Sequence, residues 1–368
     1  MFSKNELRCL LALQRVPNLG DASIKKLINH IGSAEGIFKE KIRDLQKIEG
    51  ISAFRLKDFS PKIVLDEAEE ELKFIAENNI RCHHFLESEY PAGLKHCIDS
   101  PIVIFSKGNF NLNNKYVISI VGTRNATSHG KKACETLISE LAPLKPVIVS
   151  GFAYGIDIVA HKAALKQGLQ TIVCLAHGLN QIYPKTHYKY VPQILENGAL
   201  FTEFWSSDPF DRTNFLKRNR IIAGMSEATV VIESAEKGGS LVTADIANSY
   251  NRDVFAMPGR TTDALSRGCN NLIKTQQAHL LSSAADLVYL MGWDLDKKRE
   301  TPVQTELFFN LNEEEERVYN FLRDNEKELL DHISIKCKLP SHKTATVLFN
   351  LEIKGLVRPL PGKLFQVT

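Results

Sequence analysis

Several signals that would place this 368-residue chain in a function class are missing. No apolar run approaches the about 20 residues of a bilayer span, so no membrane segment is expected. The seven cysteines (Cys9, Cys82, Cys97, Cys134, Cys174, Cys269 and Cys337) are scattered, without a C-x-x-C pair. That spacing excludes a disulfide scaffold and fits reduced, mostly buried thiols in a cytosol. Cys82-His83-His84 resembles a metal fragment, but adjacent residues rarely share one ion, so no metal or other cofactor is expected. G-x-G-x-x-G does not occur. The nearest approach to a P-loop, N-A-T-S-H-G-K-K at 125–132, has Asn125 for the first glycine and Lys132 where Ser or Thr should bind magnesium. G-x-S-x-G is missing as well, which removes the commonest nucleophilic hydrolase motif. The opening M-F-S-K-N-E-L-R-C-L carries charges before any apolar core, unlike a secretory leader, so a cytoplasmic protein is expected. A net charge of +3 is too small to imply nucleic acid by itself; any basic surface must be local.

What is present is an ordinary globular composition, 43% apolar and 24% charged, at a length for two to three domains. Residues 1–80 read as helical. Leu7, Leu10, Leu11 and Leu13 give an apolar face, V-P-N-L-G-D follows at 16–21, and Ile24, Leu27 and Ile28 continue it. I-E-G-I-S at 48–52, with Phe54, Leu56 and Phe59, repeats the unit. Two helix–glycine hairpin–helix units predict a small helix-hairpin-helix or SAM-like domain. Its hairpin N–H groups can hold a nucleic-acid backbone, or its glycines merely end helices.

Residues 81–293 change texture. After short apolar runs at 84–86 and 102–105, strands are predicted at 117–121, 147–150, 171–176, 199–203, 229–233 and 253–257. Helices fall between them, near 128–142, 157–167, 187–197, 215–226 and 241–250. This alternation implies an α/β fold, a doubly wound parallel sheet. Residues 294–312 are polar and aperiodic, a linker. From 313 to 368, three helices and a hairpin follow winged-helix order. That segment carries nine acidic and nine basic residues. With Lys343 the one firm cation on its recognition-helix candidate, a protein contact or structural role is favoured over a DNA reader.

Ligands of an open parallel sheet bind at the carboxyl ends of the strands. Y-V-I-S-I-V-G-T-R-N-A-T at 116–127 is the centre of that edge: a buried strand, a turn at Gly122 and a helix N-terminus where free N–H groups and the helix dipole favour an anion. Arg124 stands inside the turn, with a fork suited to phosphate. S-G-F-A-Y-G-I-D at 150–157 predicts a second nest around Ser150, Gly151 and Gly155. E-S-A-E-K-G-G-S-L at 233–241, with Lys237, Gly239 and Ser240, is a further glycine loop entering a helix. D-P-F-D-R-T-N-F-L-K-R-N-R at 208–220 packs Arg212, Lys217, Arg218 and Arg220 around Phe210 and Phe215, with residues 217 and 220 one turn apart and able to face one groove. Cations interleaved with rings suit a flexible single strand, whose phosphates meet the cations while its bases stack. Phe152, Tyr154 and Tyr183 are further candidate rings. Asp157, Glu203, Glu233 and Asp245 are the carboxylates available for acid–base work.

I-V-G-T-R, S-G-x-A-x-G-I-D-x-x-A-H-x-x-A-L, Y-P, R-N-R-I-I-A-G, G-S-L-x-T-A and a later P-G stand in fixed order over about residues 85–293. In this the chain resembles the DNA-processing protein A family (DprA, also called Smf). The resemblance implies an extended Rossmann-like domain that binds single-stranded DNA during natural transformation, protects it and loads the RecA recombinase, commonly as a homodimer. It implies no catalytic residue. By motif it places phosphate on Arg124, lines the pocket with Ser150, Gly151 and Gly155, sets Lys185 beside it, and borders the strand with Arg212, Phe215, Arg218 and Arg220. Lys237 stands before G-G-S-L where members have a basic residue and then S-G-S; Gln277-Ala278 stands where Gly-Ala is usual. The competing reading is a phosphoribohydrolase of nucleoside monophosphates, whose P-G-G-x-G-T-x-x-E loop K-G-G-S-L-V-T-A-D partly echoes. Leu241, Ala244 and Asp245 occupy the positions near its missing glycine and Glu.

Overall fold

A computed structural model describes residues 3–113, 115–293, 311–325, 327–354, 356–360 and 362–367. They fall into two compact units, one reaching residue 293 and one starting at 311.

The first unit is built on nine strands: β1 (Arg81–His84), β2 (Val103–Asn109), β3 (Val117–Val121), β4 (Val147–Ser150), β5 (Thr171–Cys174), β6 (Gly198–Thr202), β7 (Ala228–Val231), β8 (Asp253–Ala256) and β9 (His279–Leu280). Their order is β1-β2-β6-β5-β4-β3-β7-β8-β9. From β6 to β9 every pairing is parallel, as the strand–helix alternation predicts. β1 and β2 add an antiparallel extension against β6. The chain runs outward from β3 through β4 and β5 to β6, then returns to β7 and runs outward the other way. The order therefore reverses between β3 and β7, which is where an α/β sheet opens a crevice.

β3 shows why a β-branched run belongs there. Alternate side chains enter opposite faces: Val117 and Val121 join one core cluster, Ile118 and Ile120 the other. Helices follow the predicted positions, with one difference. The stretch near 187–197 is a 3-10 turn, Lys185–Tyr190, followed by a short helix, Val191–Glu196. Pro192 lacks an N–H and so opens a helix rather than sitting inside one.

The N-terminal helices (Lys4–Gln14, Asp21–Ile31, Ala34–Lys39 and Pro61–Glu77) share one continuous core with Ile102, Val103, Phe105 and Trp205 of the sheet region. The Trp205 indole N–H donates to Gln14 at 3.0 Å, and Glu71 accepts from the N–H and hydroxyl of Ser206. No helix among the described residues is long and apolar enough to cross a membrane.

The second unit is a winged helix. Asn312 caps the helix Glu313–Asp324 reciprocally with Glu315, and the helices Leu330–Cys337 and Ser341–Ile353 follow. The predicted hairpin forms as β11 (Val357–Leu360) and β12 (Leu364–Val367). A third strand, β10 (Lys327–Leu329), pairs with β12, beyond the three helices and hairpin that the sequence pattern predicts. Three residues are too few for a period, and their pairing partner lies far along the chain. Lys343 is tied to Glu314 at 2.5 Å. Of the expected linker, residues 294–310 lie outside the described residues.

Candidate nucleic-acid interface

The glycine turn after β3 forms as expected, but its anion site is already filled. A Cβ on Gly122 would meet the Ile156 side chain at 2.5 Å, so only glycine permits that turn. Thr127 caps the helix Ser128–Leu141, accepting from the Gly130 N–H at 3.0 Å. Glu233, just past the carboxyl end of β7, accepts from the Thr127 N–H at 2.9 Å and its hydroxyl at 2.5 Å. β3 and β7 run parallel and side by side, so a carboxylate from one reaches the helix launched from the other. The sequence reading of an open helix terminus beside Arg124 is corrected on this point. The exposed Arg124 guanidinium instead lies 5.7 Å from the Phe215 ring centre.

The second predicted nest is closed in the same way. Asp157 is buried and accepts from the Ala153 N–H at 3.3 Å. Burial pushes its carboxyl above the usual range, and Arg218 works against that shift. Ser150 is not among the residues lining the cleft beside Arg124: it is buried, and its hydroxyl donates to the Ile120 carbonyl at 2.6 Å. Gly151 is needed for space, since a Cβ there would meet the Arg218 guanidinium at 2.5 Å. Gly155, at φ +80°, lets the loop approach the backbone of Thr123 and Arg124.

A cleft of about 360 Å³ opens at the reversal between β3 and β7. It gathers Arg124, Phe215, Arg218, Lys237, Gly239 and Ser240 from the sequence-predicted set. Asp157, Asn219 and Thr243 also line it, none of them anticipated as lining; parallel pairing of β3 with β7 is the signal that would have found them. The helix Gly239–Ser249 enters here without a side-chain cap, and a Cβ on Gly239 would meet nothing within 4 Å. Its positive end opens on the cleft, which Gly238, Gly239 and Ser240 line. Ser240 is buried, its hydroxyl donating to Ser234 at 2.9 Å.

The four cations of 212–220 separate. Arg212 and Lys217 are exposed but do not line the cleft. Arg218, 4% exposed, forms the floor: Nη1 donates to the Gly151 carbonyl at 2.7 Å and to the Cys174 carbonyl. Its Nε has no partner among the described residues. Arg220 does not share a groove with Lys217. It turns the other way, paired with Glu203 and with Asp21 at 3.4 Å, and donates to the Asp99 carbonyl at 2.5 Å. Drawing Arg220 away would leave the part-buried Glu203 and Asp21 without their counter-charge, which corrects its expected role at the strand. Lys185 is exposed on its 3-10 turn, outside the cleft lining.

The rings divide likewise. Phe152 is fully buried core. Tyr183, Phe210 and Phe215 make a cluster with centroids 4.9, 5.7 and 5.9 Å apart, and Tyr183 and Phe210 remain 45% and 43% exposed. Such rings, open to solvent beside a guanidinium, can take flat apolar faces while the cation takes an anion.

Residues 81–292 match the family model for DNA recombination-mediator protein A, and residues 305–363 match the DprA winged helix domain. The chain is 37% identical over 203 residues to the DNA processing protein DprA of Streptococcus pneumoniae, covering 55% of this chain and 71% of that one. It is 32% identical over 290 residues to protein Smf of Escherichia coli, covering 76% of each. The crystal structure of DprA from Streptococcus pneumoniae aligns with a TM-score of 0.65 at 30% identity, over 78% of this chain and 98% of that one. A Helicobacter pylori DNA processing protein A, solved for its single-stranded DNA binding mode, aligns with a TM-score of 0.52 at 28% identity, over 58% of this chain and 95% of that one.

Proposed function

We propose, from the premise that this chain belongs to the DNA recombination-mediator protein A family, that it binds single-stranded DNA along the cleft and works by binding rather than catalysis. The observation that carries this reading is the exposed ring cluster of Tyr183, Phe210 and Phe215 next to Arg124, at the mouth of a cleft with an open helix N-terminus. Phosphates are held by Arg124, Lys237 and the N-terminus of Gly239–Ser249, while unstacked bases lie on Phe215 and its neighbours. The buried carboxylates available to a hydrolase are each engaged by a neighbouring group of the fold. Glu233 caps a helix, Asp157 closes a loop beside Arg218, and Glu203 neutralises Arg220. Asp245 is exposed and outside the cleft lining.

In the cell, the bound strand is shielded and passed to the RecA recombinase during natural transformation, by a cytoplasmic homodimer. A titration of labelled oligothymidine at rising salt tests the reading. Single strands are expected to bind more tightly than duplex, with log affinity falling by about 0.7 per contacted phosphate for each unit of log salt. Equal binding of duplex, or affinity indifferent to salt, contradicts it.

A further inference from the structure

Lys162 and Lys166 stand four residues apart on the helix Ile156–Lys166, so they project from one face. Both are exposed and border a groove shared with Tyr190, Gln193 and Glu196. The ammonium groups of Lys162 and Lys189 lie 5.8 and 5.3 Å from the Tyr190 ring centre, gripping it from two elements. Lys185 begins the same 3-10 turn that ends at Tyr190. None of these four lysines has an ion-pair partner among the described residues. Glu196 is the single carboxylate among the described residues lining that groove.

This basic face is continuous with the cleft. Ala153 lines the cleft, and Tyr154 follows it on the rim loop. The Tyr154 hydroxyl is 3.2 Å from that of Thr186, and its ring is 5.0 Å from His187, so the loop is fastened to the turn carrying Lys185 and Lys189. Tyr154 is 47% and Tyr188 64% exposed. Unpaired cations alternating with open rings are the pattern that tracks a flexible polyanion.

We infer that a single strand held in the cleft continues over Tyr154 onto a second track formed by Lys185, Lys189, Tyr190, Lys162 and Lys166, on the outer side of the helix Ile156–Lys166. The inference rests on the cleft reading and extends it: the cleft sets the affinity for short strands, and the lysine track adds phosphate contacts for longer ones.

The test compares oligothymidines of about six and about twenty nucleotides, lengths that bracket a single stacking site. They are titrated by fluorescence anisotropy against wild-type protein and the triple variant Lys162→Gln, Lys166→Gln, Lys189→Gln. All three positions are exposed, so the fold should be kept, and a thermal melt checks that. Expected is an unchanged affinity for the short strand. For the long strand, affinity falls about tenfold or more and the salt slope flattens by about 2, roughly 0.7 for each lost phosphate contact. If the long strand binds the variant with wild-type affinity and slope, or if short and long strands weaken equally, the track is overturned while the cleft stands. If wild-type protein binds neither strand, the cleft reading falls and the track falls with it.

Discussion

Glu233 and Thr127 are joined by two hydrogen bonds, 2.9 Å to the backbone N–H and 2.5 Å to the hydroxyl, across neighbouring parallel strands. The helix Ser128–Leu141 is therefore terminated by a carboxylate of its own chain. Removing that carboxylate leaves an N–H and a hydroxyl unpaired at a part-buried site, at a cost of about 1–3 kcal/mol. Glu233→Ala is expected to lower the urea midpoint accordingly and to leave strand binding by folded protein intact. Loss of binding without loss of stability would mean that Glu233 belongs to the ligand site.

Arg218 and Lys217 are adjacent in sequence and opposite in role. Arg218 is the buried floor of the cleft; Lys217 is exposed. Arg218→Ala would leave the Gly151 and Cys174 carbonyls without their donor and remove the charge that offsets the burial of Asp157, an effect of about 1–3 kcal/mol. Lys217→Ala should change stability by no more than about 0.5 kcal/mol. Denaturant melts of the two variants check this, and similar values for both would contradict the burial of Arg218.

Acid should weaken the fold through its buried histidines. His161, bonded to Thr171 at 2.7 Å, is pushed down by burial to about 3, and His83, bonded to Ser106 at 2.7 Å, to about 4. Unfolded histidine takes up its proton near the ordinary value of about 6.5. Between there and about 4 the unfolded chain binds protons that the native state refuses. Stability is thus fully present above about 6.5 and is lost as pH falls, by up to about 1.4 kcal/mol per histidine for each pH unit. Glu203, pushed up to about 7 by burial, has the opposite sign over much of this range, its contribution being lost as pH rises. The histidine effect is therefore read as the difference between wild type and His161→Gln. The variant should show a shallower acid loss between pH 6.5 and 4, and identical slopes would refute a neutral buried His161.

The proposed reading makes strand binding depend most directly on Arg124 and Phe215. Base–aromatic stacking is worth about 1–3 kcal/mol, so Phe215→Ala should weaken oligothymidine binding about five- to 150-fold with little change in salt slope. Arg124→Ala should weaken binding and flatten the slope by about 0.7. Anisotropy titrations at several salt concentrations separate the two, and a common effect on slope would contradict the division of labour.

Much of the fold was legible in the sequence because strands buried on both faces are continuous apolar runs. Val117–Val121 and Val147–Ser150 fall where the pattern puts them. The antiparallel pairing of β2 with β6 and the strand Lys327–Leu329 were not, since both depend on partners remote in sequence. The site was legible as a set of residue types at one sheet edge, less so as contacts. Local spacing shows that Arg220 can face the same way as Lys217. It cannot show that Asp21, nearly 200 positions earlier, and Glu203 are waiting on the other side. In the same way a helix N-terminus reads as open until the tertiary fold delivers Glu233 to it.

The most direct measurement is a crystal structure with a short oligothymidine bound. The account predicts a phosphate between Arg124 and the N-terminus of Gly239–Ser249, with a base stacked on Phe215. A strand lying clear of the cleft, or a phosphate at the Thr127 helix start in place of Glu233, would contradict it.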